Sequence, residues 1–261
     1  MHGIPAAVVV LLPLGMLHFA HSGMSPKRVA IVQSSYIPWK GYFDLIRAVD
    51  EFILLDDVQF TKRDWRSRNR IQTKDGPHWL SIPIHTRGLT SQRVMDARVA
   101  DQSWSRRHWQ TISNAYARAP YFADYARLFQ PLYERPVSQR LSEINHSLIT
   151  SICLALHIKT PITWSTDYSP VAGSNQRLID LCLKSGATEY LSGPSAASYI
   201  DEGRFASAGI TVRFVDYGDY PEYPQLFSPF EHAVSALDLL FCTGRLACTY
   251  MKNLSPQASA T

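Results

Sequence analysis

Two adjacent carboxylates are the most chemically suggestive residues of the sequence. Asp56 and Asp57 directly follow the apolar run of residues 52–55. Neighbouring side chains of a strand point to opposite sides, so one carboxylate of the pair can face a site while the other does not. The carboxylate in the site could act as a general base, or it could hold a divalent cation against a diphosphate. In the structural alternative, either residue caps the next turn or pairs with a nearby arginine.

A strongly basic segment follows the two carboxylates. Residues 62–74 contain one acid, Asp64, and six cationic side chains, which are Lys62, Arg63, Arg66, Arg68, Arg70 and Lys74. The whole chain has a net charge of +4, so the remainder is close to neutral. Guanidinium groups match the oxygens of phosphate, and a patch this local suits a phosphorylated small molecule better than duplex DNA, which needs a wider basic face. A solvated arginine-rich loop is the alternative interpretation.

Other polar side chains also stand where apolar runs end. If the first two strands are parallel, their carboxyl ends meet at one edge of the sheet, where ligands bind in open α/β proteins. The residues that we expect at this edge are Gln33, Tyr36, Asp56, Asp57 and Gln59. A later run, residues 189–191, ends in Ser192 and Gly193. A helix is predicted to begin near Pro194, so the free N–H groups there could hold an anion.

The elements that must position these side chains alternate between strands and helices. The patterns predict strands over residues 29–32, 52–55, 162–164, 189–191 and 210–215 and helices from Gly41, over 174–184 and from Pro194. This order predicts an α/β protein with a mainly parallel, Rossmann-like sheet. Asp75-Gly76 further predicts a hairpin between residues 69–73 and 78–84.

An inserted helical segment is predicted over residues 104–157. Helical spacing of apolar residues covers 104–117, 122–132 and 138–157, with Ser138 as a candidate N-cap. Near the C-terminal end, Asp238 lies in an otherwise apolar helix. Burial of an isolated carboxylate is costly, so we expect Asp238 to have a partner such as an arginine.

Composition places the chain among ordinary globular proteins. It has 261 residues, of which 46% are hydrophobic and 18% charged. Its four cysteines form no C-x-x-C pair and have no histidine spacing for zinc, which predicts neither a metal site nor a disulfide framework and fits a reducing cytoplasm. P-loop, G-x-G-x-x-G, H-E-x-x-H and G-x-S-x-G motifs are missing from the sequence, so the function classes that those motifs mark are not supported.

The two ends of the chain are expected to differ from the body. Within residues 1–23 an apolar run is broken by Pro13 and Gly15, and it is too short to span a membrane. We expect these residues to be an upstream extension, with Met24 as the natural start, and a secretory signal is the alternative. Residues 24–250 are predicted to form one α/β domain, and residues 251–261 a flexible tail.

The sequence resembles the WbqC-like family of bacterial proteins. The residues that carry the resemblance are Gln33-Ser34-Ser35-Tyr36-Ile37-Pro38-Trp39-Lys40-Gly41-Tyr42-Phe43, Asp56-Asp57-Val58-Gln59, Lys62, Arg63, Trp65, Asn69-Arg70-Ile71, Trp79-Leu80, Ile82-Pro83, Tyr190-Leu191-Ser192-Gly193, Asp238-Leu239-Leu240-Phe241 and Gly244. The resemblance extends from about residue 29 to residue 244. Two positions depart from the family pattern, because Ser34 stands where the family has proline and Cys242 stands where asparagine is expected.

The resemblance implies a protein of bacterial surface-polysaccharide (O-antigen) biosynthesis. Our leading hypothesis is a transferase that adds an acyl or aminoacyl group to the amine of a nucleotide-activated sugar. The expected partners are a sugar nucleotide, an acyl-thioester donor and an acyl carrier, in the cytoplasm, without duplex nucleic acid and without a membrane span. Asp57 would be the base, with Asp56 beside it, and Gln33 and Tyr36 would orient the substrate or donate hydrogen bonds.

The remaining site residues are expected to bind the substrate and its phosphates. They are Gln59, Lys62, Arg63, Trp65, Asn69, Arg70, Ser192 and Gly193. A second hypothesis is a glycosyl or nucleotidyl transferase in which Asp56 and Asp57 hold Mg²⁺. A third hypothesis is a protein that binds a sugar nucleotide or a carrier without catalysis.

Overall fold

The structure, a computed structural model, describes residues 26–89 and 91–252. Its strands are β1 (Arg28–Val32), β2 (Glu51–Leu54), β3 (Arg68–Thr73), β4 (Gly76–Ser81), β5 (Ile162–Trp164), β6 (Glu189–Ser192) and β7 (Thr211–Phe214). Its α-helices are α1 (Lys40–Arg47), α2 (Trp104–Tyr116), α3 (Phe122–Glu134), α4 (Leu141–Ala155), α5 (Ser174–Lys184), α6 (Glu202–Ser207) and α7 (Ala236–Thr243). The predicted N-terminal extension and residues 253–261 of the predicted tail lie outside the described residues.

Five strands form a parallel sheet in the order β5-β2-β1-β6-β7. The chain starts at β1, adds β2 and β5 on one side, and then returns to add β6 and β7 on the other side. The strand order therefore reverses beside β1. In open α/β sheets the crevice at such a reversal, beyond the carboxyl ends of the strands, is where ligands bind. The predicted α/β class and parallel sheet are confirmed.

Both faces of the sheet are covered, which explains the short apolar runs of its strands. Alternate side chains of a strand point to opposite faces. The larger core contains α1, α4 and α7 together with the sheet residues Ala30, Phe52 and Leu54. The smaller core contains α5 and α6 together with Val29, Ile31 and Ile53. The carboxyl edge of β1 is thus held between two packed layers.

The hairpin and the helical segment lie where they were predicted, but one helix cap and one helix type differ from the prediction. β3 and β4 pair antiparallel, with Arg70 opposite Trp79. α2, α3 and α4 lie within the predicted helical segment. Ser138 is not the N-cap, because α4 begins at Leu141 and the Ser138 hydroxyl instead accepts the Arg140 N–H at 2.9 Å. The helix predicted from Pro194 is a short 3₁₀ helix, Pro194–Ser198.

The buried carboxylate of Asp238 has tyrosines, not an arginine, as partners. The Tyr116 and Tyr223 hydroxyls donate to its two oxygens at 2.6 and 2.7 Å. The Gln225 amide adds a third hydrogen bond at 3.0 Å. The predicted arginine is wrong, because the phenol groups and the amide donate the hydrogen bonds that the carboxylate accepts.

A second buried carboxylate, Asp44, couples folding to pH. Asp44 is 1% exposed and accepts hydrogen bonds from the Tyr220 hydroxyl and the Lys252 N–H, each at 2.8 Å. The flexible tail was predicted to begin at residue 251, but Met251 is buried, so the packed part of the chain extends through Lys252. Burial raises the pKa of Asp44 from 3.8 to about 6, although its hydrogen bonds and Arg47 act in the opposite direction.

Asp44→Asn is expected to flatten the pH dependence of stability. Between pH 4 and 6 the native state binds more protons at Asp44 than the unfolded state, so the free energy of unfolding falls as pH rises. The interval from 3.8 to about 6 corresponds to roughly 3 kcal/mol. Urea unfolding at pH 4, 5, 6 and 7 should therefore show the variant gaining stability relative to wild type as pH rises. Asp75→Asn, at an exposed hairpin turn, is the control; a constant difference for Asp44→Asn would contradict the assignment.

Candidate functional site

A cavity of about 320 Å³ opens at the carboxyl end of β1. Most of its walls are apolar or aromatic, and the residues that line it are Val32, Ser35, Pro38, Trp39, Tyr42, Trp65, Arg66, Asn69 and Ala233. It lies at the edge of the sheet where the strand order reverses. A mostly apolar cavity with a few convergent polar groups is typical of a small-molecule site.

The turn between β1 and α1 forms one wall and is held in a strained conformation. Ile37 has a φ of 36°, a left-handed value that is unusual for a β-branched residue. The Asn69 amide donates to the carbonyls of Tyr36 and Ile37 at 3.1 and 2.9 Å. The Ser34 N–H donates to Asp56 at 2.8 Å. Backbone strain persists where surrounding contacts over-determine it, so these hydrogen bonds fix the shape of the wall.

Trp39 extends this wall toward β6 and β7. Its ring packs edge-on against Tyr217 and Tyr220, with centroid distances of 5.2 and 5.4 Å. A Cβ atom at Gly41 would lie 2.3 Å from the Trp39 ring, which explains the glycine at that position. A Cβ atom at Gly193 would lie 3.7 Å from Tyr217. The predicted Ser192-Gly193 turn therefore lies close to Tyr217, which packs on Trp39.

Arg66 brings a positive charge into the cavity wall. Its guanidinium donates to the Gln33 side-chain oxygen and lies 3.2 Å from the Asp64 carboxylate. Arg66 is one of six cationic residues in the basic segment, and residue type alone gave no reason to expect it, rather than another of the six, in the cavity wall. Gln33 is a predicted site residue, and its side-chain oxygen accepts a hydrogen bond from Arg66 in the cavity wall.

The two adjacent carboxylates separate, as the alternation of side chains predicted. Asp56 is fully buried, accepts the Ser34 N–H and contacts the Ser142 hydroxyl, and burial raises its pKa. Asp57 keeps 11% of its side chain exposed and binds Arg177 at 2.6 Å and Ser165 at 2.7 Å. The pair does not converge on one point. Within residues 26–89 and 91–252, no group of three or more histidine, cysteine, aspartate or glutamate residues is arranged to hold a metal ion.

Tyr36 lies in the core rather than in the cavity. Its hydroxyl is 2.8 Å from His108 Nδ1 and 2.9 Å from the Tyr133 hydroxyl, and Tyr36 has no exposed surface. Burial lowers the pKa of His108 to about 4, so His108 is neutral at physiological pH. We expected Tyr36 to contact the substrate, but its burial gives it a supporting position behind the cavity wall.

The basic segment divides between separate environments. Lys62, Arg63 and Arg68 line a second cavity of about 430 Å³ on the hairpin side. Arg70 lies opposite Trp79 in the hairpin, with its guanidinium carbon 5.6 Å from the Trp79 ring centroid. It donates to the Ala233 carbonyl at 3.2 Å and lies 3.7 Å from Glu231. Among the predicted phosphate ligands, Lys62 and Arg63 thus line the second cavity together, whereas Arg70 lies against Trp79 and does not line it. Gln59 forms a backbone bridge with Arg93.

Lys40 is a functional candidate that the sequence analysis missed. It is 2% exposed, and its ammonium donates to the Pro221 carbonyl at 2.9 Å. It also lies over the rings of Tyr220 and Tyr223, at 4.9 and 5.0 Å from their centroids. Burial lowers its pKa to about 8. These three partners are about 180 residues from Lys40 in the sequence, so no local pattern could have predicted the contacts.

Comparison with known proteins identifies the relatives of the chain. A model of the WbqC-like protein family matches residues 33–250. The chain is 46% identical over 226 residues to a protein of Mycobacterium tuberculosis (strain ATCC 25618 / H37Rv) described as "Uncharacterized protein Rv1507c", covering 87% of this chain and 98% of that protein. No solved structure matches significantly. In the described part of the chain, no helix is long and apolar enough to cross a membrane.

Proposed function

This chain belongs to the WbqC-like protein family, and we propose that it is an enzyme that modifies a nucleotide-activated amino sugar in surface-polysaccharide (O-antigen) biosynthesis. The observation that carries the proposal is the aromatic cavity with Arg66 in its wall, at the carboxyl edge of β1. Nucleotides bind at this point of Rossmann-like sheets, where the strand order reverses. We propose the same use of the sheet here.

The proposed reaction is acyl or aminoacyl transfer to the sugar amine. The amine nitrogen attacks the carbonyl carbon of an acyl thioester, a C–N bond forms, the C–S bond breaks, and the thiolate leaves. Negative charge develops on the carbonyl oxygen, where a fixed cation in a low-dielectric cavity is most effective. Arg66 is the group that we assign to this charge, and Gln33 orients its guanidinium.

The walls and the second cavity suit the other parts of such a substrate. The rings of Trp39, Tyr42 and Trp65 offer apolar faces to a sugar. Lys62 and Arg63 provide cationic groups for the diphosphate, in the second cavity. A carrier-bound or free acyl thioester is the proposed donor. Activated sugars and acyl thioesters are cytoplasmic compounds, so the proposal includes a cytoplasmic location.

Asp57 is the proposed acceptor of the amine proton. It is the carboxylate of the adjacent pair that reaches solvent, whereas Asp56 is enclosed. Its ion pair with Arg177 also ties α5 to the sheet edge, so a structural contribution must be separated from a catalytic one. The pH dependence of kcat distinguishes the two roles. Loss of a general base removes the acidic limb of the kcat profile, whereas loss of a structural ion pair does not.

Asp57→Asn is expected to lower kcat by roughly 10²–10⁴-fold, the usual contribution of a general base. The test starts from a thermal-shift panel of nucleotide amino sugars, free nucleotides and acyl thioesters, with and without Mg²⁺. A true ligand at a hundredfold excess over its Kd stabilises the native state by about 2.7 kcal/mol. Any acyl-transfer activity with the sugar that binds is then measured in the variant.

Asp180→Asn is the matched control, because Asp180 forms an ion pair with Lys184 on the same helix as Arg177. Full turnover by Asp57→Asn would refute the base assignment. Binding of a nucleotide sugar without turnover by wild type would favour the non-catalytic hypothesis, and turnover that requires Mg²⁺ would favour the metal-assisted transferase.

A further inference from the structure

Two tryptophans and an arginine form an exposed cluster beside the hairpin. The Trp65 and Trp79 rings lie with centroids 5.4 Å apart at an interplanar angle of 36°. The Arg68 guanidinium carbon lies 4.3 Å from the Trp79 ring centroid. Trp65 is 43% exposed and Trp79 is 40% exposed. We call Trp65, Trp79 and Arg68 the hairpin platform.

The hairpin register explains why Arg68 and Trp79 face outward. Asn69 pairs with Leu80 on the core side, where both are buried. Arg68 and Trp79 belong to the alternate positions and therefore stand on the opposite face. Large aromatic side chains usually lose surface to the core, so two exposed tryptophans in contact form a feature that folding alone does not require.

The platform joins the two cavities of the site. Trp65 lines the apolar cavity at the end of β1 and also touches Trp79. Arg68 lines the cationic cavity with Lys62 and Arg63 and also stacks on Trp79. Trp79 lines neither cavity, yet it contacts one wall residue of each. A ligand that fills both cavities therefore contacts Trp65 and Arg68, the two residues that pack against Trp79.

The charges around the platform favour an anionic ligand. Lys62, Arg63 and Arg68 contribute three positive charges beside it. Arg70 lies 5.6 Å from the Trp79 ring centroid and pairs with Glu231, and the one acid of residues 60–69, Asp64, pairs with Arg66. A planar aromatic surface next to cationic side chains has the two properties that bind nucleotides, because a base stacks on the rings and phosphates pair with the cations.

We propose that the hairpin platform binds the nucleobase of the activated sugar, with Trp79 as its main stacking residue. This inference rests on the proposed function and adds the residue that recognises the nucleoside part of the substrate. Arg68 holds the phosphate that lies next to the nucleoside. Stacking accepts any base, so the platform provides affinity for the nucleoside class more than selection among bases.

The experiment compares nucleoside diphosphates with inorganic pyrophosphate. Isothermal titration calorimetry measures the Kd of UDP, ADP, GDP and CDP, and of pyrophosphate, for the full chain and for Trp79→Ala and Trp79→Phe. Stacking of one base contributes about 1–3 kcal/mol, so Trp79→Ala should weaken nucleoside diphosphates by roughly 5- to 150-fold. Pyrophosphate affinity should change less than about twofold, and Trp79→Phe should restore most of the loss, since its ring still stacks. Leu154→Ala, which removes an exposed apolar side chain on α4, is the control.

The possible outcomes separate this inference from the proposed function. A selective loss of nucleoside diphosphate binding in Trp79→Ala supports the platform. Tight binding of nucleoside diphosphates by wild type and by Trp79→Ala alike overturns the platform and leaves the proposed function standing. Equal affinity of wild type for UDP and pyrophosphate also overturns it. If wild type binds neither nucleoside diphosphates nor nucleotide sugars, the proposed function fails and the platform assignment fails with it. A Trp79-dependent preference for single-stranded RNA oligomers over mononucleotides would overturn the inference in favour of a polymer.

Discussion

Replacement of Arg66 by alanine is expected to lower kcat by roughly 10²–10³-fold in the proposed transfer, with a small change in KM. Arg66 is the one charged side chain among the described residues that line the cavity at the end of β1. The apolar walls strengthen its electrostatic interaction with a charge that develops in the transition state. An interaction made only in the transition state lowers kcat and kcat/KM equally when it is lost.

Lysine at position 66 should give an intermediate result. It keeps the positive charge and loses the planar fork that contacts Gln33 and Asp64 together. We expect Arg66→Lys to keep about a tenth of wild-type turnover, because the positive charge remains but is less well oriented toward the carbonyl oxygen of the substrate. Arg107→Ala is the matched control, because Arg107, on α2, forms an exposed ion pair with Asp101, and its loss should leave turnover unchanged.

The Arg66 assignment can be contradicted in two ways. Wild-type kcat in Arg66→Ala would remove Arg66 from the chemistry. A rise in KM with unchanged kcat would assign it to uniform substrate binding, as expected if it held a ground-state phosphate. Circular dichroism and thermal unfolding of each variant separate these results from loss of fold.

The sequence predicted what depends on near neighbours in the chain. Residues 29–32 and 52–55 are short apolar runs, and they became β1 and β2 of a parallel sheet. The Asp75-Gly76 dipeptide predicted the β3–β4 hairpin, which the structure contains. Turn chemistry and side-chain periodicity act over a few residues, so these predictions needed no knowledge of the fold.

The environment of each candidate site residue could not be predicted in the same way. Asp57 binds Arg177 and Asp56 contacts Ser142, at separations of 120 and 86 residues. Lys62 and Arg63 line the second cavity and Arg66 lines the first, because the chain turns between Phe60 and β3 without a regular period. A pattern with no period gives no direction for its side chains, so residue type alone could not single out Arg66.

Asp238→Ala is expected to lower the free energy of unfolding by about 2–6 kcal/mol, which is large against a typical total of 5–15 kcal/mol. The variant leaves the Tyr116 and Tyr223 hydroxyls in the core without the carboxylate that accepts from both. Each unsatisfied buried hydroxyl costs about 1–3 kcal/mol. These residues connect α7 with α2 and with the segment that follows β7, so the loss acts on three parts of the fold.

The cost of Asp238→Ala should depend on the two hydroxyls, and urea unfolding of combined variants tests this. In a Tyr116→Phe/Tyr223→Phe background neither hydroxyl remains to be orphaned, so Asp238→Ala should cost less than it does in wild type, by about 1–3 kcal/mol for each hydroxyl removed. If the cost were unchanged, Asp238 would stabilise the fold chiefly through its charge, with the nearby Lys40 ammonium as the partner. Leu154→Ala is the control for substitution on an exposed helix face. Lys40 also lies over the Tyr223 ring, so both interactions act on the segment that follows β7. A cost that depends on the hydroxyls would identify hydrogen bonding, not ion pairing with Lys40, as the way in which Asp238 holds this segment.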